Sequence, residues 1–162
     1  MDEKKIEEVL EEIWIQREKG EVYSHQLCLS SQENITEADI SEMENLGYFM
    51  REEQKICLTE KGEVKALQII RGHRLAERLM TDVLAVSPKE METRACSFEH
   101  VIHHELADAI CTLLGHPKEC PHGRPIPAGN CCIKAKPNLE KYSKQMRWFL
   151  SSTGLKKFFI ET

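Results

Sequence analysis

The chain has 162 residues, of which 41% are hydrophobic and 30% charged, with a formal net charge of −5. That is enough for a real core in one domain or two small ones, and the composition is ordinary for a globular protein in water. No apolar run approaches the roughly 18 residues that a membrane span needs. The start MDEKKIEEVLEEIW is charged and lacks an apolar core, unlike a signal peptide, so a cytoplasmic protein is expected.

Residues 3–18 place Ile6, Val9, Leu10, Ile13 and Trp14 at helical spacing, and Gly20 ends that helix. A short segment, Tyr23 to Leu29, follows. Asn34 or Thr36 caps a second helix with Ile40, Met43 and Leu46 on one face, and Gly47 stops it. YFMREEQKICLTEKG reads as two short strands around a polar turn from Arg51 to Lys55. Thr59 caps a long helix that runs to about Val86, where Ser87-Pro88 breaks it. Residues 1–70 therefore have the element order of a winged helix-turn-helix.

The chain turns helical again from 88. Residues 88–95 form one short helix, and Glu99 to Leu114 a second with Ile102, Leu106, Ile110 and Leu113 on one side. Residues 116–138 hold five prolines and little periodicity, so they read as an irregular loop. Residues 139–150 carry Leu139, Tyr142, Met146 and Phe149 as a last helix. There is no internal repeat.

The chemistry concentrates in CSFEHVIHHE, residues 96–105. Cys96, Glu99, His100 and His103 recur at spacings of three and four, which brings them to one face of a helix. A thiolate, a carboxylate and an imidazole together suit a transition metal better than calcium or magnesium. Seven cysteines in a reducing compartment are not a disulfide framework. Cys28, Cys57 and Cys111 read as small buried hydrophobes. His103 and His104 read as exposed helix residues.

At GHRLAERLMTDVL, ACSFEHV and GRPIP the chain resembles the diphtheria-toxin-repressor family of metal-dependent transcriptional regulators, over roughly residues 5–127. The resemblance implies a mainly α fold. A winged helix-turn-helix DNA-binding domain spans 1–70. A helical dimerisation and metal-binding domain spans 71–138, and a C-terminal helix and tail span 139–162. Some members add an SH3-like domain. The chain is too short for one, and its last 35 residues do not resemble it.

The same resemblance assigns the metal ligands as Glu8, Glu11, His73, Glu77, Cys96, Glu99 and His100. The iron-type branch has cysteine at Cys96, and a thiolate favours Fe²⁺ over Mn²⁺. Glu8 is acidic as in the manganese-type branch. Glu92 stands where iron-type members place an ancillary histidine. Fe²⁺ is the expected metal, with Mn²⁺ next. Metal that joins the first helix to the second domain would set the angle of the DNA-binding heads.

CPHGRPIPAGNCC offers a second cluster of Cys120, His122, Cys131 and Cys132, suited to Zn²⁺ or an iron–sulfur cluster. The alternative is a reduced, proline-rich loop.

The resemblance also implies a double-stranded DNA operator and a homodimer. Gln32, Asn34, Thr36, Arg51 and Lys55 are the candidate DNA contacts. Against this stands charge. Residues 1–72 hold 9 Lys and Arg against 17 Asp and Glu, a net −8. The recognition helix carries Glu37, Asp39, Glu42 and Glu44 and no basic residue, whereas phosphate contacts need cations. Two functions stand: an iron-responsive repressor of metal-homeostasis genes, and a metal-sensing or metal-handling protein of the same fold that binds a protein partner. No nucleophile–base set or phosphate loop points to an enzyme or a small-molecule substrate.

Overall fold

The computed structural model describes residues 1–30, 34–100 and 102–134. It is mainly α-helical with one two-stranded sheet. Helix α1 spans Glu3–Lys19, α2 Ser24–Ser30 and α3 Glu37–Asn45. Strands β1 (Phe49–Glu52) and β2 (Lys55–Leu58) follow, then α4 (Glu60–Asp82), α5 (Pro88–Glu99), α6 (His104–Leu113) and α7 (Asn130–Lys134).

Local chemistry sets these boundaries. The Asp2 side chain caps α1 by accepting from the Lys5 N–H at 2.8 Å, and Gly20 closes it at φ 154°. Thr36 and Asp39 form a reciprocal capping box at the start of α3. Gly47, at φ 75°, turns the chain from α3 into β1. Thr59 caps α4 through the Gly62 N–H. Pro88 sits in the first turn of α5, where its missing N–H costs nothing.

β1 and β2 pair antiparallel with Phe49 opposite Leu58 and Glu52 opposite Lys55. The hairpin follows α3, so helices α2 and α3 with this wing make a winged helix-turn-helix. Its core is Val9, Leu10 and Ile13 of α1, Leu27 of α2, Ile40 and Met43 of α3, Phe49 of β1, and Ala66 and Ile69 of α4. Each large side chain sealed here contributes about 1.5–3 kcal/mol of transfer free energy. The close approach of α4 to the turn ahead of β1 requires glycine at 62, because a Cβ there would overlap the Tyr48 carbonyl.

A second core gathers Leu75 of α4, Ala107, Ile110 and Cys111 of α6, and Cys120 and Ile126 of the loop beyond. Helix α4 serves both cores. Between Ile69 and Glu77 it is buried at every residue except half-buried His73, and three of the buried side chains, Arg71, Arg74 and Glu77, are charged.

Four expectations change. α4 stops at Asp82 instead of Val86. Residues 99–114 are not one helix. α5 ends at Glu99, His103 is the N-cap of α6, and α6 starts at His104. Leu46 is 41% exposed instead of facing the core with Ile40 and Met43. The proline-rich loop contains one helical turn, α7. The helix expected at 139–150 and the tail lie outside the described residues.

Candidate metal centres

The apolar face of α1 (Ile6, Val9, Leu10, Ile13) locks into the first core, which turns Glu7 and Glu11 toward α4. On α4, His73 and Glu77 stand one turn apart. His73 Nδ1 lies 3.1 Å from Glu11 Oε1, and its Nε2 lies 3.4 Å from Glu77 Oε1. Glu11 and Glu77 are both buried, at 9% and 3% exposure. His122 Nδ1 reaches the same Glu77 oxygen at 2.9 Å, and the Cys120 thiol completes a group of potential ligands with them. Burial opposes the Glu77 charge, yet hydrogen bonds with His73 and Cys120 outweigh it and hold the carboxyl below its ordinary range. Its second oxygen, Oε2, is buried with no hydrogen-bond partner among the described residues. An orphaned, ionised oxygen beside two imidazoles is a place for a cation.

Glu8 pairs along its own helix with Lys4 at 3.2 Å. Glu7, one residue earlier, instead meets His100 Nδ1 at 2.9 Å and Lys65 Nζ at 2.9 Å. The sequence reading missed Glu7. Its signal is the four-residue spacing to Glu11, which puts those two on one face more nearly than Glu8 and Glu11. Cys96 and Glu99 belong to α5 by their backbone, and their side chains, like that of Glu92, lie outside the described residues. His103 and His104 are exposed, as expected, at the start of α6.

The structure divides the quartet Cys120, His122, Cys131 and Cys132. Cys120 and His122 go with Glu77, as above. Cys131 and Cys132, at the start of α7, instead join Cys111 of α6 and His116 of the loop after it. The isolated bridge Glu119↔Pro125 closes the loop segment that carries Cys120 and His122 beside Glu77 of α4. Cys111 is buried as expected, but it belongs to this group; Cys28 and Cys57 are only half-buried. His116, at φ 58°, was missed. The signal for it was the spacing C-x₄-H ahead of C-C. Arg71 Nη2 donates to Asp108 at 2.9 Å and contacts Cys131 Sγ at 3.1 Å, which ties the group to α4. Gly129 makes room for this pair, since a Cβ there would overlap the Arg71 guanidinium.

The thiols are unequal. Burial and hydrogen bonding to Cys132 and Cys131 push Cys111 up to about 12. Burial also raises Cys132, but a backbone hydrogen bond from Gly129 and contact with His116 bring it down to about 7.

Buried Arg74 of α4 braces the first of these groups. Arg74 is 2% exposed, donates to both Glu18 oxygens at 2.8 and 2.6 Å and to the Pro125 carbonyl at 2.6 Å. It joins α1, α4 and the loop that carries Cys120 and His122.

On the helix-turn-helix face, Gln32 lies outside the described residues. Asn34 is at φ 49°, ahead of the Thr36 cap. Thr36 spends its hydroxyl in the capping box. Arg51 pairs with Glu37 and Glu44 of α3. Lys55 pairs with Glu21, and Lys65 with Glu3 and Glu7. Each of these cations is engaged within the protein.

No described helix is long and apolar enough to cross a membrane. Residues 59–128 match the family of the iron dependent repressor metal binding and dimerisation domain. The chain is 37% identical over 89 residues to the iron-dependent repressor IdeR of Mycobacterium bovis, covering 54% of this chain and 39% of that protein. It is 30% identical over 98 residues to the diphtheria toxin repressor of Corynebacterium jeikeium, covering 60% of this chain and 41% of that protein. The chain thus spans about two fifths of the length of the curated relatives it matches. Among solved structures, a manganese-dependent transcriptional repressor in complex with manganese superposes with a TM-score of 0.68 at 26% identity, over 76% of this chain and 58% of that one. In sequence through residues 59–128 and in fold through three quarters of its length, this protein resembles the iron- and manganese-dependent repressors of the diphtheria-toxin-repressor family.

Proposed function

We propose that the protein is a metal-dependent transcriptional regulator that acts as a homodimer on a double-stranded DNA operator, with Fe²⁺ the favoured ion and Mn²⁺ next. A winged-helix domain over residues 1–70 and a metal-binding dimerisation domain over 71–138 divide the work, with 139–162 as a tail. The observation that carries this reading is the convergence of Glu11 of α1 on His73 and Glu77 of α4, beside the unpartnered Glu77 Oε2.

These residues fit a divalent ion. Oxygen and imidazole donors meet Fe²⁺ and Mn²⁺ alike, and Cys96, placed on the neighbouring helix, would favour iron. Glu8, Glu99 and His100 complete the proposed ligand set. When bound, the ion supplies positive charge that holds two buried carboxylates together. The chain's own residues do the rest. Glu11 belongs to the helix that anchors the winged-helix core, whereas Glu77 lies on the second-core half of α4. Closure of one on the other sets how the recognition helix is presented, so metal occupancy and DNA affinity are linked through differential binding.

The pairing of Arg51 with Glu37 and Glu44 favours a second reading, in which the same metal-gated face docks a protein partner instead of DNA. Fluorescence anisotropy with a pool of genomic promoter fragments and anaerobic protein separates the two. Metal-dependent, sequence-specific binding supports the regulator, and the stronger of Fe²⁺ and Mn²⁺ names its metal. No binding at low salt with either ion overturns DNA recognition.

A further inference from the structure

We infer that Cys111, His116, Cys131 and Cys132 bind one tetrahedral Zn²⁺ ion, at a site separate from the Glu11–His73–Glu77 group. The donor atoms are Sγ of the three cysteines and Nδ1 of the histidine. Cys111 to Cys132 measures 3.6 Å and Cys131 to Cys132 3.7 Å. His116 Nδ1 lies 3.6 Å from the Cys111 sulfur and 3.7 Å from that of Cys132. All four donors fall within 4.8 Å of one another.

Four of the six donor–donor distances match the edges of a zinc tetrahedron, and the other two lie within 4.8 Å. With Zn–S near 2.3 Å and Zn–N near 2.0–2.1 Å, a regular tetrahedron has sulfur–sulfur edges of about 3.8 Å and sulfur–nitrogen edges of about 3.6 Å. A disulfide would draw two sulfurs to about 2.05 Å, which none of these pairs approaches. An iron–sulfur cluster spreads its cysteine ligands around several metal atoms, farther apart than donors that share a single ion. Three soft thiolates and one imidazole select zinc over the harder divalent ions.

The site is built by the fold. Cys111 is 1% exposed and is held by α6 in the second core. His116 follows the helix end through Gly115, at φ 74°. Cys131 and Cys132 occupy the first turn of α7, and Arg71 of α4 braces Cys131. Four protein ligands leave no open coordination position, so the ion is structural. It clips α6, the proline-rich loop and α7 into one unit.

The test uses the full chain purified without oxygen. Elemental analysis is expected to find one zinc per chain, retained when His73→Ala weakens the other group and lost in Cys131→Ser and His116→Ala. Cobalt exchanged into the wild-type protein is expected to give intense tetrahedral d–d bands and thiolate charge transfer. X-ray absorption at the zinc edge is expected to count three sulfurs and one nitrogen, a readout that stands even if the variants fail to fold. Zinc content unchanged in both ligand variants overturns the site. So does a wild-type cobalt spectrum without sulfur ligation, or iron recovered with acid-labile sulfide. The result is independent of DNA binding, so either conclusion can fail alone.

Discussion

The two candidate ligand groups among the described residues differ in what they join. The Glu11–His73–Glu77 group unites residues 66 positions apart in sequence, from α1, which serves the first core, and α4, which serves both. The Cys111–His116–Cys131–Cys132 group is local, closed within 22 residues of chain. Three of its four candidate donors are thiols, whereas the first group offers carboxylates and imidazoles with one thiol, Cys120, beside Glu77. A ligand group that spans elements can govern their arrangement, whereas a group that closes a short loop mainly governs whether that loop is folded. The first is therefore suited to sensing and the second to stapling.

The largest expected effect lies on the stapling side. Stripping metal from the sulfur-rich group with a strong chelator under reducing conditions should lower unfolding stability by several kcal/mol, of the order of structural zinc binding. Thermal melts with and without zinc read this. A stripped protein with an unchanged melting temperature would erase the contrast between the groups.

Next comes the Arg74 brace beside the first group. Glu18→Ala leaves the buried Arg74 guanidinium without its carboxylate and should cost about 2–3 kcal/mol in denaturant unfolding. The same pair predicts a pH response. Burial raises the Glu18 carboxyl, but hydrogen bonds from Arg74 and Trp14 outweigh it and hold it below its ordinary 4.5. A depressed acid contributes stability that is present above 4.5 and lost as pH falls through the folded value. Wild-type stability should fall in that acidic window, and Glu18→Ala should fall less steeply.

On the sensing side, Glu11→Gln should weaken Fe²⁺ or Mn²⁺ binding about 10- to 100-fold while zinc content stays at wild-type level. Calorimetry with each metal measures it, and equal loss at both groups would merge them into one. The smallest effect is a control. Thr36→Ala removes the capping box of α3 and should cost about 1 kcal/mol with no change in either metal affinity.

Much of this was legible in the residues. Gly20, Thr36, Gly47, Thr59 and Pro88 mark helix ends through short-range backbone chemistry, and each acts as its type predicts. The apolar spacing of Ile6, Val9, Leu10 and Ile13 exposes the buried face of α1. The break between Glu99 and His104 was hidden, because residues 100–103 hold no glycine or proline to announce it. Glu7 and Glu8 also could not be separated by type. Only the rotation of α1 in its core decides that Glu7 meets His100 and Lys65.

The sequence by itself determined the order of elements from α1 to β2 and α4, the acidic character of α3 and the inventory of metal-capable side chains. These follow from periodicity, capping residues and composition, which act over a few residues. The tertiary structure decided the partnerships. It sent Cys120 and His122 to Glu77, and Cys131 and Cys132 to Cys111 and His116, although all four lie within 13 residues. It also drew Arg51 onto Glu37 and Glu44. Such choices depend on how a loop folds back on a core and on which charges the packing of the wing against α3 brings together, and adjacency along the chain carries neither.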